Sequence, residues 1–189
     1  MITGYDERPF FRDIFFADDF HIQEAVRGHI EDPANRIIHK FVHHLIHFMA
    51  KEELFRNPVM GWFLRYVHTF PVHRGRIDRK AVMESFKVLK GGAVLGIFPE
   101  GKRTRGGFVG PFHEGFAGIA IKAKVPVLPA AIVNSEFLPK KTGPVRVIFG
   151  KPIMAPAGKA SDHDVVTAFS EEIRDSIVTM QNQYKGDEK

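Results

Sequence analysis

Phe98-Pro99-Glu100-Gly101-Lys102-Arg103 brings together a carboxylate, a glycine and two cations. It follows the apolar run Ala93-Val94-Leu95-Gly96-Ile97, which reads as a buried strand. Polar groups just past a strand's C-terminal end lie where open α/β sheets place their ligands. A second cationic cluster, Arg74, Arg76, Arg79 and Lys80, follows the apolar run Phe70-Pro71-Val72. Cationic patches of this kind suit phosphate, an anionic membrane surface or nucleic acid. The same stretch contains His73-Arg74-Gly75-Arg76-Ile77-Asp78, a histidine five residues before an aspartate.

The elements that must carry these residues alternate. A helical pattern runs from Asn35, with Ile37, Ile38, Phe41, Val42, Leu45 and Ile46 at spacings of three and four. A short strand is predicted near His47–Ala50, a helix over Leu54–Val67 and a strand over Phe70–His73. Arg79–Lys90 reads as a helix with Val82, Phe86 and Leu89 on one face, ended by Gly91-Gly92. Strand Ala93–Phe98, helix Glu114–Lys124, strand Val125–Val133 and strand Val145–Phe149 follow. The last helix is predicted to start at Ser161 with Asp164 three residues on. Its buried stripe is Val165, Val166, Phe169, Ile173, Ile177 and Met180. The alternation predicts an α/β fold, a single-domain sandwich with a largely parallel or mixed central sheet flanked by helices.

The 189 residues are enough for a full core in one domain. Apolar residues make up 44% and charged residues 26%, as in globular chains. Eighteen phenylalanines against one tryptophan and three tyrosines suggest a thick apolar interior or a surface that meets lipid. Cysteine is absent, which removes disulfides, thiolate nucleophiles and Cys-ligated zinc. No apolar run approaches the roughly 18 residues of a spanning helix. The N-terminal residues lack a signal-peptide pattern. The expected location is cytoplasmic, peripheral to the inner face of the membrane.

Four ordered blocks identify a resemblance. Phe98–Arg103 resembles the Phe-Pro-Glu-Gly-Thr-Arg motif of the glycerolphosphate acyltransferase family, of the 1-acylglycerol-3-phosphate type. Met49-Ala50-Lys51-Glu52-Glu53-Leu54-Phe55, Phe70-Pro71-Val72-His73-Arg74-Gly75 and Val125-Pro126-Val127-Leu128-Pro129 resemble further family blocks in the same order. The resemblance runs from about His47 to Pro152. It divides the chain into a divergent N-terminal segment, 1–46, and an acyltransferase domain, 47–185.

The resemblance implies acyl transfer from an acyl thioester, acyl-coenzyme A or acyl carrier protein, to lysophosphatidate in phospholipid synthesis. It implies no cofactor besides that cosubstrate, and no metal. Arg74 and Arg103 would hold the substrate phosphate, which suits the bidentate guanidinium. Glu100 would orient those cations or accept from a glycerol hydroxyl; as a structural carboxylate it would instead take nearby backbone N–H groups. Gly101 would permit a tight turn. Lys102 stands where the family commonly has threonine.

The family's base is a histidine in His-x-x-x-x-Asp, oriented by the aspartate. Here the corresponding stretch, Val26-Arg27-Gly28-His29-Ile30-Glu31-Asp32-Pro33, has Arg27 at the histidine position. His29, three residues before Asp32, is the candidate base and Asp32 its partner. The other reading of this departure is a catalytically impaired or truncated relative that binds phosphate or lipid without turnover. The literal spacing at His73 and Asp78 overlaps the second block and is read as coincidence. None of the five serines lies in a Gly-x-Ser-x-Gly elbow, so no covalent intermediate is expected.

Other readings fall on chemistry. Gly96–Arg103 nearly spells a phosphate-binding loop, but Arg103 cannot ligate magnesium and Pro99 lacks a backbone N–H. His39, His43 and His47 recur every four residues, without a further ligand to complete a zinc site. No nucleic-acid-binding motif accompanies the cations. The expected partners are lysophosphatidate, the thioester donor and an anionic membrane surface at its cytoplasmic face. Residues 10–20 and the helix at 35–47 are the candidate lipid contacts.

Overall fold

A computed structural model describes residues 46–73, 78–102, 108–133 and 146–186. All belong to one unit, residues 40–189. The first strand, β1 (Ile46–Lys51), is central in a three-stranded parallel sheet, between β2 (Thr69–Val72) and β3 (Val94–Gly96). Lys51 pairs with Val72, and Phe48 with Gly96. Because the strands are parallel, their C-terminal ends share one edge.

Helices make the crossovers that parallel strands require. A short 3-10 helix, Glu52–Phe55, leads into α1 (Pro58–Tyr66). Asn57 caps α1, its side chain accepting from the N–H groups of Val59 and Met60 at 3.0 and 3.1 Å, with Pro58 in the first turn. The predicted helix over Leu54–Val67 is thus two pieces. Between β2 and β3 lies α2 (Arg79–Lys90), in the predicted bounds. Its buried face is Ala81, Ser85 and Val88, whereas Val82, Phe86 and Leu89 are half-buried flanks. The apolar pattern missed this face because it passes through a serine. Ser85 satisfies itself by donating to the Ala81 carbonyl at 2.8 Å.

The predicted helix at 35–47 falls mostly outside the described residues, but its end is corrected. Ile46 and His47 are in β1, so His47 shares no helical face with His39 and His43.

After β3 the chain reaches α3 (Gly115–Ala123), then β4 (Ala130–Val133), which pairs antiparallel with β5 (Arg146–Phe149). The predicted strand over Val125–Val133 is shortened to β4 plus an isolated bridge between Val127 and Ile153. Pro126 and Pro129 have no N–H to give a ladder. The last helix, α4 (His163–Gly186), starts two residues later than predicted. Asp162 fills the cap position expected of Ser161. Its carbonyl takes the Val166 N–H at 3.1 Å and its side chain the Val165 N–H at 3.4 Å.

The core lies between α3 and α4. Phe116, Ala117, Ala120 and Ile121 meet Val166, Phe169 and Ile173, with Ile97, Phe112, Val127 and Ile153 packed around them. The predicted stripe of α4 is therefore the buried one, with Val165 and Ile177 partly covered.

Gly96 ends β3 against the ring of Phe48. A Cβ there would stand 2.7 Å from Phe48 Cδ1 and 3.0 Å from Ile46 Cγ2. Gly96→Ala is expected to cost roughly 1–3 kcal/mol by overpacking, read from the shift of a denaturant midpoint. An unchanged midpoint would mean that Phe48 swings aside freely.

Candidate active site

At the shared C-terminal edge, β1 delivers Lys51, β2 delivers His73 and β3 leads into Phe98–Gly101. The Phe98 ring stacks on Phe48 at 6.0 Å between centroids, though Phe98 stays 65% exposed. The turn then closes on itself. Gly101 N–H donates to the Phe98 carbonyl at 3.1 Å, with Gly101 at φ 63°. That dihedral favours glycine. A Cβ there would also stand 2.9 Å from Cδ2 of the exposed His113 ring, which would have to shift.

The turn is also clasped from outside. His113 N–H donates to the Pro99 carbonyl at 2.8 Å, and Gly110 N–H donates to Glu100 Oε2 at 2.9 Å. Glu100 therefore has a bond of the structural kind at one oxygen. An ionised carboxylate has capacity for several acceptor contacts, so this bond leaves a substrate role compatible. Behind the clasp stands α4. Its Arg174 donates from Nε to the Gly110 carbonyl at 3.2 Å and from Nη2 to the Val109 carbonyl at 3.3 Å. Thr167 donates to Glu114 Oε1 at 2.8 Å.

His73 and Asp78 do bond. The His73 backbone N–H and ring Nδ1 each lie 2.9 Å from Asp78 Oδ2. Asp78 Oδ1 meanwhile accepts from Lys80 N–H at 3.0 Å and Ala81 N–H at 3.2 Å, capping α2. The His73 backbone N–H, then its ring, then the Ala81 N–H hold the Asp78 carboxyl far below the usual carboxylate range, against a smaller opposing effect of burial. Ring Nε2 of His73 faces the Glu52 carboxylate. Both ring nitrogens thus lie against carboxylate oxygens. This is a brace between β2, the 3-10 helix and α2, with neither ring nitrogen turned to a substrate hydroxyl.

Gly101 and Glu100 are thus the sequence-predicted site residues that the described structure places at the edge. His29, Asp32, Arg74 and Arg103 lie outside the described residues. Sequence reading did not select Lys51, Gly110, His113 or Arg174. Asp78 carried a signal, an aspartate just ahead of a helical pattern, whereas Arg174 is separated from Glu100 by most of the domain. Among the described residues no group of three or more His, Asp or Glu is arranged to hold a metal.

The Acyltransferase family model matches residues 34–133, more than half of the chain. The chain belongs to the acyltransferase family. It is 33% identical over 141 residues to a 1-acyl-sn-glycerol-3-phosphate acyltransferase of Bacillus subtilis, covering 73% of this chain and 70% of the relative. It is 34% identical over 117 residues to the chloroplastic enzyme BAT2 of Brassica napus, covering 56% of this chain and 33% of that protein. The crystal structure of the 1-acyl-sn-glycerophosphate acyltransferase PlsC of Thermotoga maritima superposes with a TM-score of 0.57 at 30% identity. That match covers 74% of this chain and 56% of the PlsC chain.

Asp78 generates a pH prediction. A carboxyl depressed in the folded state adds stability at neutral pH, which is lost as pH falls below its unfolded value of about 4. Asp78→Asn keeps a capping oxygen but no charge. Its deficit in stability against the parent is expected to be largest near pH 7 and to shrink below about pH 4, read from paired denaturation curves. Asp78→Ala also loses the cap, an added cost of about 1 kcal/mol.

Proposed function

We propose that the chain acylates lysophosphatidate, using an acyl thioester as donor, in glycerophospholipid synthesis. The observation that carries this is the Phe98–Gly101 turn, clasped in place past the C-terminal end of a strand of the parallel sheet, in a chain of this family. The names of the relatives support the same acceptor. The donor is acyl-coenzyme A or acyl carrier protein.

In this reading Arg74, next after the braced His73, and Arg103, two residues past Gly101, neutralise the phosphate through charge-assisted bonds. The glycerol hydroxyl oxygen attacks the thioester carbonyl carbon while a base removes its proton. The C–S bond then breaks, the thiolate leaves and takes up a proton, and the acyl ester remains on the glycerol. His29, oriented by Asp32, is the proposed base. His73 is not, since its Nε2 faces Glu52.

Amphiphilic substrates place the reaction at an anionic membrane surface, on its cytoplasmic face. No described helix is long and apolar enough to cross a membrane. Exposed Val59 and Trp62 on α1 support contact with lipid instead.

Release of free thiol from an acyl-coenzyme A in the presence of lysophosphatidate tests the proposal. Arg74→Ala is expected to raise the KM for lysophosphatidate by about tenfold or more, the value of one charge-assisted bond. His29→Ala is expected to lower kcat by about a hundredfold or more. No thiol release with either donor overturns the reading, and full activity of His29→Ala removes His29 as the base.

A further inference from the structure

We propose that Arg174 is a positioning residue for Glu100, acting through the single peptide group between Val109 and Gly110. The inference rests on the reading of the Phe98–Gly101 turn as part of the acyltransferase site.

The geometry is that of a three-part relay. The carbonyl of Val109 and the N–H of Gly110 are the two ends of one peptide unit. That unit is planar, and in the usual trans form its oxygen and hydrogen point in opposite directions. Arg174 Nη2 donates to the oxygen end at 3.3 Å. The hydrogen end donates to Glu100 Oε2 at 2.9 Å. Arg174 Nε takes the next carbonyl, that of Gly110, at 3.2 Å, so the guanidinium grips two successive carbonyls and fixes the rotation of the peptide between them. A cation at the oxygen end and a carboxylate at the hydrogen end polarise the amide in the same sense, which strengthens both bonds. Glycine at 110 has no side chain to restrain this peptide, so its orientation has to come from its partners.

Arg174 is poorly suited to a purely structural role. Its side chain is 38% exposed, and its third nitrogen, Nη1, lies 3.8 Å from the largely exposed Asp175. The helix that carries it is anchored by others, since Phe169 and Ile173 are each only 2% exposed in the core. Thr167 ties α4 to Glu114 independently. Loss of the guanidinium therefore leaves α4 docked while releasing the peptide that aims at Glu100. A lysine cannot reproduce the grip, because a single ammonium lacks the fork that spans two carbonyls.

The test compares Arg174→Met and Arg174→Lys with the parent chain, alone and combined with Glu100→Gln. Arg174→Met is expected to keep the parent melting temperature and the donor KM while raising the lysophosphatidate KM several-fold. Arg174→Lys is expected to fall between. If Arg174 acts through Glu100, its effect shrinks in the Glu100→Gln background. Additive effects of the two changes overturn the proposal, as does an equal loss for both substrates accompanied by a lower melting temperature in both Arg174 variants. The hydrogen-exchange rate of the Gly110 amide gives a readout that needs no activity. It is expected to rise in Arg174→Met, and an unchanged rate overturns the proposal. A parent chain that releases no thiol refutes the functional reading alone, and the Gly110 exchange rate then decides the relay by itself.

Discussion

The clasp between residues 98–101 and residues 110–113 is the constraint on which the site depends. A strand that simply ended at Gly96 would leave its following residues to wander over the sheet edge. Here three backbone N–H groups, those of Gly101, Gly110 and His113, are bonded into one turn. Gly101 makes the turn possible, because its positive φ strains any residue with a Cβ. The carboxylate of Glu100 is thereby fixed by a peptide from another segment.

The same logic recurs at β2. His73 is held by its backbone and its ring against Asp78, and by its other nitrogen against Glu52. One aspartate thereby starts α2 and ends β2. The side chain that superficially offers a His–Asp catalytic pair is employed in bracing. At both β2 and β3, charged side chains are used first to fix backbone. That rigidity suits recognition of a small anionic headgroup, whose bonds are directional and lose value when donors drift.

How far the sequence was legible follows from what is local. The strands β1, β2, β3 and β5 and the helices α2, α3 and α4 were visible in apolar spacing, because a half-buried element shows its own periodicity. The failures share a cause. Ser85 lies on the buried face of α2 because its hydroxyl bonds its own helix, which hydropathy cannot register. The strand before β4 was overextended because branched apolar residues outweighed the two prolines that interrupt pairing. Asp162 rather than Ser161 caps α4, a choice between adjacent capable residues that chain direction decides.

The amino-acid order by itself determined the family, the α/β alternation and the turn-forming need for glycine at 101, since each rests on neighbouring residues and their spacing. Tertiary structure alone decided that Gly110 is the partner of Glu100, that His113 covers Gly101 and that Arg174 grips the peptide between. Those bonds join segments from ten to sixty-five residues apart in the chain. No local pattern encodes them, because a backbone N–H or C=O is present at nearly every residue and only folding selects which one meets a given side chain.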